Sequence, residues 1–531
     1  MKDILAKDKF RLLPLFLIFA YLFLALARIN HPGVQYDEMQ FGNIATGGKD
    51  NVFIWYSFHG VPLLMMSYVG ALKGYLFYPI FKIFGVSVYS IRVPMIFLVA
   101  VSLYYFYSSI KIFFNKKVAI LALLFICLDS SFISFTRYDV GPTVIEFVCK
   151  AIALYFFTLF LTRKEKKYLF FIYLFLLLGI FNKLSFIWFI NGFFAAAIIS
   201  FWKDFMDVFR GDSRKRKIFS IILIAASYMS LAFYFLYLSL VYKLFNSSSI
   251  SEIIHKITPT LYGIKYLITG ESFFNYAFGN LLIPTAKYIS ALIIAINIFG
   301  FICAVYSKKI DHNFRKSYLF FFLTLLFVIV QIIATKEAKY PWHFFSIYPM
   351  YIVILSCSIF LVDKFLHSWR GIDKRVAMAV TIILVAYELA VSTMYVQAYN
   401  QPPKNLSWSN SIFDLIEYAK LSNHKFASVD WGTHVQLLTF DKKIGKYSEM
   451  APALHNEEAF KRTKKWLFES YFEQKGEYYF ILHPKGKCLY ENARENFFSL
   501  AEDNNVKLNL VKTFSDSSGR LVFEIYSANS E

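Results

Sequence analysis

Long apolar runs alternate with short polar tracts along about the first 400 residues of the chain. Many of these runs approach the roughly 20 residues that a helix needs to cross a hydrocarbon layer about 30 Å thick. The pattern therefore predicts a helical, polytopic membrane protein with about eleven transmembrane helices. These cover residues 12–29, 88–112, 117–133, 143–162, 168–181, 184–202, 218–242, 286–306, 317–335, 341–363 and 376–396.

Short basic tracts between the predicted helices set their orientation. With a cytoplasmic N-terminus, eleven crossings place every dense basic tract on the cytoplasmic side, as the positive-inside rule requires. These tracts are "KIFFNKK", "TRKEKKY", "RGDSRKRK", "SKKIDHNFRK" and "DKFLHSWRGIDKR". An odd number of crossings then puts the C-terminal segment outside.

The stretch 61–84 is apolar enough to be a further crossing, but it contains Lys73, Lys82 and two prolines. Counting it as a span would move every later basic tract to the outer side. We therefore expect an interfacial helix over 61–84, from which lysine side chains reach the aqueous boundary. It belongs to an outer loop, 30–87, that holds another short helix at 39–47. A second outer loop, 244–285, is long enough to be structured.

The composition of the chain changes after "NQPPKN", residues 400–405. We expect two domains, a transmembrane domain over 1–398 and a small extracytoplasmic α/β domain over 399–531. Helical periodicity marks "SIFDLIEYAKL" and "ARENFFSLAEDN". Strand patterns mark "KFASVDW", "GEYYFILHP", "LNLVKTF" and "RLVFEIYS".

Composition supports the membrane assignment: 57% of the residues are hydrophobic, 20% are aromatic and only 17% are charged. No soluble domain of this size hides so much apolar surface. The net charge of +20 lies in tracts between apolar runs, so membrane lipids rather than nucleic acid are the expected partner. Five scattered cysteines form neither a CxxC pair nor a disulfide framework.

Ionisable residues at the outer ends of the predicted helices are candidates for function, because charge at membrane depth costs a few kcal/mol. They are Asp37, Glu38, Arg92, Arg137, Asp139, Lys183, Lys336, Glu337, Lys339 and His343. Each also has a structural interpretation: the acids suit a helix start, neighbouring opposite charges can pair, and the bases and His343 suit the interface. Their convergence on one face predicts a shared site.

The order of these motifs resembles the GT-C superfamily of membrane glycosyltransferases, in particular the branch of protein O-mannosyltransferases and the aminoarabinose transferase of lipid A. The resemblance covers most of the membrane domain, and its short motifs are specific mainly through their succession. The matching stretches are "YDEMQFG", "GVPLLMMSYVGALKGYLFYPIFKIFGVSVYSIRVP", "TRYDVGP", "GIFNKLSFIWF" and "KYPWHFFSIYP".

The resemblance implies transfer of a sugar from a polyprenyl-phosphate donor to an acceptor hydroxyl at the outer membrane face. It implies Asp37 as the essential carboxylate, Glu38 as its neighbour and Asp139 as the second acidic site. Inverting transfer needs a base for the proton of the acceptor hydroxyl. Nearby negative charge also stabilises an oxocarbenium-like transition state. We therefore expect Asp37 to be the base.

The leaving group in such a transfer is a lipid phosphate, whose developing charge must meet fixed cations. The candidates for this phosphate site are Lys183, Arg137, Lys336, Lys339 and His343, with Lys183 and Lys339 as first choices. A divalent metal, Mg²⁺ or Mn²⁺, is left open because carboxylates suit these ions. Its ligands would come from Asp37, Glu38, Asp139 and His343, although no spacing is metal-specific.

The C-terminal segment "FASVDWGTHVQLL" resembles the extension of bacterial members of this branch. Asp430 and His434 there are interpreted as a strand end followed by a helix cap, and acceptor binding is the expected role of the domain. A bacterial plasma (inner) membrane is the expected location. The sugar and the class of acceptor, whether protein, lipid or glycan, stay open.

Three other functions compete with the glycosyltransferase. A transporter or flippase of a lipid-linked saccharide would also keep charges in its helices, but no internal repeat is visible. A phosphoethanolamine-type transferase would need a metal cluster after residue 400, where the histidines are widely scattered. A scaffold has no reason to retain charges on the outer face.

Overall fold

The computed structural model describes residues 12–47, 54, 56–66, 68–210, 213–242, 250–279, 283–307, 310–336, 338–368, 375–443, 445–473 and 477–530. Helices dominate up to residue 398, and a five-stranded sheet follows. The protein thus combines a helical membrane domain with a small C-terminal sheet domain, as the sequence predicts.

The membrane domain contains eighteen labelled α-helices within the described residues, together with one small hairpin. The helices are α1 (Leu13–Leu26), α2 (Tyr36–Met39), α3 (Gly42–Thr46), α4 (Leu72–Phe84), α5 (Val88–Phe113), α6 (Lys116–Leu128), α7 (Ser130–Tyr138), α8 (Thr143–Arg163), α9 (Lys167–Asn182), α10 (Ile187–Val208), α11 (Arg214–Tyr242), α12 (Ile250–Ile268), α13 (Ser272–Ala277), α14 (Ala286–Tyr306), α15 (His312–Ala334), α16 (Pro341–Phe344), α17 (Met350–Ser368) and α18 (Arg375–Ala398). The hairpin is β1 (Tyr56–Phe58) and β2 (Val61–Leu64).

Each of the eleven predicted spans falls on a helix or on a pair of helices. Within the described residues, six helices are long and apolar enough to cross a membrane by length and composition. Two further predicted spans fall on bent helix pairs that pass the same test together: α6 with α7, at 62°, and residues Pro341–Ile347 with α17, at 47°. The remaining three predicted spans fall on shorter apolar helices: α1, α9 and the part of α11 from Ile221 to Tyr237.

The two bends are joined through buried polar groups. Asp129, at the break between α6 and α7, accepts a hydrogen bond from the Phe132 N–H at 2.8 Å. The Tyr348 hydroxyl, at the break before α17, donates to the same carboxylate at 2.6 Å. Broken helices at membrane depth need such internal partners for their polar groups.

The predicted helix over 61–84 is wrong in its first part, because residues Val61–Leu64 form β2 and the helix begins only at Leu72. The segment between them pairs instead with the turn after α9. The Leu184 N–H donates to the Tyr68 carbonyl at 2.9 Å, and the Gly70 N–H donates to the Asn182 carbonyl at 2.9 Å. A Cβ at Gly70 would lie 1.6 Å from the Phe181 carbonyl oxygen, so this approach requires glycine.

The C-terminal domain is a mixed sheet with helices on both faces. Its elements are α19 (Ser411–Leu421), β3 (Lys425–Ser428), α20 (Thr433–Asp441), β4 (Tyr447–Glu449), α21 (Ala451–Leu454), α22 (Glu457–Tyr471), β5 (Tyr478–Leu482), α23 (Glu491–Asp503), β6 (Val506–Ser515) and β7 (Leu521–Ser530). The strand order is β4-β3-β5-β7-β6, with β3 parallel to β4 and β5, and β7 antiparallel to β5 and β6. Phe480 and Ile481 pack into opposite cores, as expected for a strand covered on both faces.

The sheet domain docks directly on the segment that precedes α2. The Gly33 N–H donates to the Trp408 carbonyl at 2.8 Å, and the Gln436 amide donates to the Val34 carbonyl at 2.5 Å. At Gly432, whose φ is +92°, a Cβ would lie 2.4 Å from the Tyr36 ring. The sheet domain therefore lies over the start of α2.

Candidate active site

Asp37 lies in the single turn of α2, which a reciprocal cap fixes. The Gln35 side chain accepts from the Asp37 N–H at 2.7 Å, while the Gln35 N–H donates to Glu38 Oε1 at 3.2 Å. The Gln40 amide donates to Asp37 Oδ1. Asp37 is half-buried, and burial raises the pKa of its carboxyl to about 7 against the two hydrogen bonds and the Lys183 charge.

Glu38, the neighbour of Asp37, points away into the protein and is fully buried. Arg92 on α5 binds it through two parallel hydrogen bonds, Nε to Oε2 and Nη2 to Oε1, both 2.8 Å. The same guanidinium donates to the carbonyls of Ile29, Pro32 and Gly33. This bidentate geometry fastens the loop before α2 to α5. Both oxygens of Glu38 are thus engaged by Arg92, and its predicted catalytic role stays a prediction.

Asp139 ends α7 in the left-handed region, with φ 50°. Its Oδ1 accepts from the Val144 N–H at 2.7 Å and so caps the start of α8, while its Oδ2 lies 2.7 Å from the Lys73 ammonium. Lys73 is buried on α4, and its ammonium also lies 4.3 Å from the centre of the Phe41 ring. The expectation that Lys73 reaches the aqueous boundary is therefore wrong.

Lys183 lies in the turn after α9, and its side chain is fully buried. Its ammonium is 3.9 Å from Glu146 Oε2 on α8 and donates a long hydrogen bond, 3.5 Å, to the Trp342 carbonyl. Lys150, one turn after Glu146, holds the other carboxylate oxygen at 2.6 Å. Burial lowers the pKa of Lys183 to about 8, whereas Glu146 raises it.

Arg137 is buried, and its guanidinium donates to the carbonyls of Ala27, Arg28 and His31 at the end of α1. It also stacks on the Tyr399 ring, 4.6 Å from the centre. Its terminal nitrogens thus satisfy the backbone carbonyls that follow the end of α1. The predicted role of Arg137 as a phosphate ligand stays a prediction.

The segment before α16 provides the remaining predicted bases. Lys336 is exposed and pairs with Glu252 on α12 at 3.3 Å. The Lys339 ammonium, on another exposed side chain, lies 5.5 Å from the Tyr340 ring. Only His343 is buried, where its Nδ1 accepts from the Tyr340 N–H at 3.3 Å. Glu337 lies outside the described residues.

The buried charges of this cluster are mostly matched. Glu38 pairs with Arg92, and Asp139 pairs with Lys73. The exceptions are Arg137, which only carbonyls hold, Asp37, which makes no ion pair within 4 Å in the described part of the chain, and Lys183, which shares one carboxylate with Lys150. The charges of Asp37 and Lys183 interact, because each shifts the pKa of the other toward the charged form.

Comparisons with known proteins show a family model that matches part of the chain and solved structures with a similar fold. Residues 71–209 match a family model described as dolichyl-phosphate-mannose-protein mannosyltransferase. The fold is similar to that of ArnT from Cupriavidus metallidurans bound to undecaprenyl phosphate, with a TM-score of 0.58 and 11% identity over 98% of both chains. Residues 71–209 therefore resemble this mannosyltransferase family, and the fold of the whole chain is similar to that of ArnT.

A second solved structure has a similar fold. The oligosaccharyltransferase of Archaeoglobus fulgidus, tethered to an acceptor peptide with the NVT sequon, matches with a TM-score of 0.52 and 11% identity. The match covers 99% of this chain and 74% of that chain. No curated protein matches the sequence significantly.

The candidate metal ligands predicted from the sequence are mostly engaged by other groups. Across the described ranges, no three His, Cys, Asp or Glu side chains come together as a metal-binding group. Of the four candidates from the sequence, Glu38 is taken by Arg92, Asp139 by Lys73, and His343 Nδ1 by a backbone N–H, which leaves Asp37 alone.

Three buried residues of the site were missed by the sequence interpretation: Lys73, Glu146 and Lys150. For Lys73 the sequence predicts an interfacial position. Glu146 and Lys150 are hidden in an apolar run, "VIEFVCKAI", that reads as an ordinary span. Their spacing of four residues was a usable signal, because such a pair lies on one helix face and is rare at membrane depth.

Proposed function

We propose that this protein transfers a sugar from a polyprenyl-phosphate-linked donor to an acceptor hydroxyl at the outer face of the membrane, with inversion and with Asp37 as the base. One observation carries the proposal. Asp37, a half-buried carboxylate without a cation partner, shares a site with Lys183, an ammonium whose hydrogen-bonding capacity is largely unused. Acceptor activation and phosphate departure need one group of each kind.

In this reaction the acceptor oxygen attacks the anomeric carbon while its proton passes to an Asp37 oxygen. The bond from the anomeric carbon to the phosphate oxygen breaks, and the phosphate leaves with the electron pair. A pKa of about 7 suits Asp37 to this task, because a base works best when its pKa lies near the working pH. Its Oδ1 is oriented by Gln40.

Lys183 is the cation proposed to meet the departing phosphate. Its ammonium has three N–H donors, and within the described residues they make one hydrogen bond, the long one to Trp342. Arg92, Arg137 and Lys73 are less suited, because each is held by a carboxylate or by carbonyls. ArnT bound to undecaprenyl phosphate supports a lipid phosphate as the class of ligand.

The exposed Lys336 and Lys339 are proposed to attract the anionic donor to the mouth of the site from the membrane surface, where exposed charge acts over about 10 Å or less. The sheet domain over α2 is proposed to bind the acceptor. The proposed location is a bacterial inner membrane, with the N-terminus cytoplasmic and the sheet domain outside.

The test uses purified full-length protein with a panel of radiolabelled polyprenyl-phosphate sugars and with protein, glycan and lipid acceptors. We expect sugar transfer by the wild type, and a loss of at least about 10²-fold in Asp37→Asn, the lower end of the range for a general base. Asp311→Asn is the matched control, because Asp311 only caps the start of α15, which asparagine does equally well. Undiminished turnover by Asp37→Asn would exclude Asp37 as the base.

The same preparation separates the enzyme from its rival. Movement of the intact lipid-linked saccharide across a vesicle membrane, with no cleavage of the sugar–phosphate bond, would favour the flippase instead. The anomeric configuration of the product, determined by NMR, tests inversion.

A further inference from the structure

The Glu146 carboxylate is shared unequally between two lysines. Its Oε1 lies 2.6 Å from the Lys150 ammonium, which is a short, charge-assisted hydrogen bond. Its Oε2 lies 3.9 Å from the Lys183 ammonium, at ion-pair distance but beyond hydrogen-bond distance. All three side chains are fully buried.

Lys150 is itself fixed and so holds Glu146 in place. Its ammonium also donates to the carbonyls of Ser346 and Tyr348, at 2.8 and 3.2 Å. Three partners match the three donors of an ammonium group. Glu146 therefore cannot move onto Lys183 without giving up the stronger of its two contacts.

We infer that Glu146 is a positioning residue for donor binding: it keeps the buried Lys183 protonated without binding it, so that the ammonium stays available to a phosphate. This inference rests on the proposed function, in which Lys183 meets the donor phosphate. The geometry points to a balance between two failures. A carboxylate in direct contact would compete with the phosphate, and no carboxylate at all would let burial remove the proton.

Several charged groups face Lys183 from the elements packed against it. Glu146 and Lys150 lie on α8, Asp139 follows α7, Asp37 lies on α2 and His343 lies on α16. Asp139 is already paired with Lys73. Glu146 raises the pKa of Lys183, and Lys150 lowers it. Removing each charge in turn should therefore move the titration of Lys183 in opposite directions.

The experiment measures the Kd of undecaprenyl phosphate for the full-length protein in nanodiscs as a function of pH. The second pKa of a phosphate monoester is about 6, so the charge of the probe is nearly constant above pH 7. We expect wild-type affinity to fall above about pH 8 as Lys183 loses its proton. In Glu146→Gln this alkaline limb, the pH range over which the affinity falls, should move down by about one pH unit or more, the usual effect of losing a close opposite charge.

Two further variants make the result specific. Lys150→Gln keeps an N–H donor for the carbonyls at the bend but removes a positive charge, so its limb should move up. Glu146→Asp keeps the negative charge, so its limb should stay close to the wild type even if the affinity drops. If Glu146 had a purely structural role, Glu146→Gln would weaken binding at every pH. The alkaline limbs of Glu146→Gln and Lys150→Gln would then not move in opposite directions.

The outcomes separate this inference from the proposed function. A wild type that does not bind the lipid phosphate at any pH would overturn both. Wild-type binding with limbs that coincide in Glu146→Gln and Lys150→Gln would overturn the inference and leave the donor class intact. Opposite shifts, with Glu146→Asp unshifted, would establish Glu146 as the group that sets the charge of Lys183.

Discussion

The Lys73 ammonium lies 2.7 Å from the Asp139 carboxylate, and both side chains are buried. This pair joins α4, in the outer loop, to the junction of α7 and α8. Removing one partner of a buried pair leaves an uncompensated charge, which typically costs about 3–5 kcal/mol. We therefore expect Lys73→Met to lower the midpoint of thermal unfolding in detergent clearly.

The matched control for Lys73→Met is Lys167→Met, which breaks the exposed ion pair with Glu165. Exposed pairs contribute little, so that midpoint should not change. The double variant Lys73→Met/Asp139→Asn should regain part of the loss, because no charge is then left alone. Equal midpoints for Lys73→Met and Lys167→Met would contradict the buried pair.

The two adjacent carboxylates of α2 should respond differently to loss of charge. Glu38→Gln removes the partner of a buried guanidinium that holds the loop of residues 29–33. We expect a poor yield of folded protein, measured by size-exclusion chromatography of a fluorescent fusion. Asp37→Asn should fold normally, because Asp37 makes no ion pair in the described part of the chain and the new asparagine brings amide donors of its own. The opposite pattern would exchange the roles assigned to the two residues.

The pH profile of the transfer reaction should be a narrow bell. Asp37 must be ionised to accept a proton, so kcat/KM should fall as the pH drops below about 7. Lys183 must be protonated to meet the phosphate, so kcat/KM should also fall above about 8. Such a profile reports groups of the free enzyme.

A variant of Gln40 identifies the acid limb. The Gln40 amide stabilises the ionised form of Asp37. Gln40→Leu should therefore raise the pKa of Asp37 and move the acid limb to higher pH, with the alkaline limb unchanged. An acid limb that stays in place would mean that another group controls it.

Gly432 should be essential for the contact between the sheet domain and α2. An alanine there would be strained at φ +92° and would place its Cβ 2.4 Å from the Tyr36 ring, next to Asp37. Gly519→Ala is the control, because its φ of +81° carries similar strain with no atom within 4 Å of the added Cβ. Gly519→Ala should lose about 1–2 kcal/mol of stability from strain alone, and Gly432→Ala should lose more because of the added clash. Only Gly432→Ala should lose kcat, by tenfold or more.

Cysteine labelling tests the orientation in the membrane. Four native cysteines are buried, and Cys488→Ser removes the fifth. In that background an impermeant maleimide should label Lys507→Cys on β6 from outside intact cells. Lys203→Cys, at the predicted cytoplasmic end of α10, should react only after permeabilisation. Both positions are exposed, so a reversed result would invert the topology. Position 73 is unsuitable, because its side chain is buried.

Hydropathy predicted the spans because lipid forces each crossing to satisfy its own backbone hydrogen bonds. The outer loop obeys no such rule. Residues 61–64 look helical by composition, but the strand pairs Val61 with Phe58, and β2 reaches the turn at Asn182 through the segment that follows it. The turn at Asn182 is far away in sequence, so no local pattern predicts that contact.

The site residues were likewise only partly predictable from the sequence. The sequence placed Asp37, Asp139 and Lys183 on one face, and they do lie in one charged cluster. It could not tell which acid stays unpaired, because the partner of Glu38 is 54 residues away and that of Asp139 is 66 residues away. The side chains of Asp37 and Glu38 leave the same helical turn in different directions, and this difference decides which of them is paired.

The bend before α17 has a consequence for how this chain can change. A broken helix inside lipid keeps its shape only if something donates to its exposed carbonyls, and Lys150 does so for Ser346 and Tyr348. The bend carries Trp342 to the ammonium of Lys183. The Lys150 ammonium thus stabilises the bend and also neutralises the Glu146 carboxylate. Lys150→Leu would leave the Ser346 and Tyr348 carbonyls without this donor and remove a positive charge beside Lys183 in a single step. Only a side chain that still donates, such as glutamine, separates the two effects.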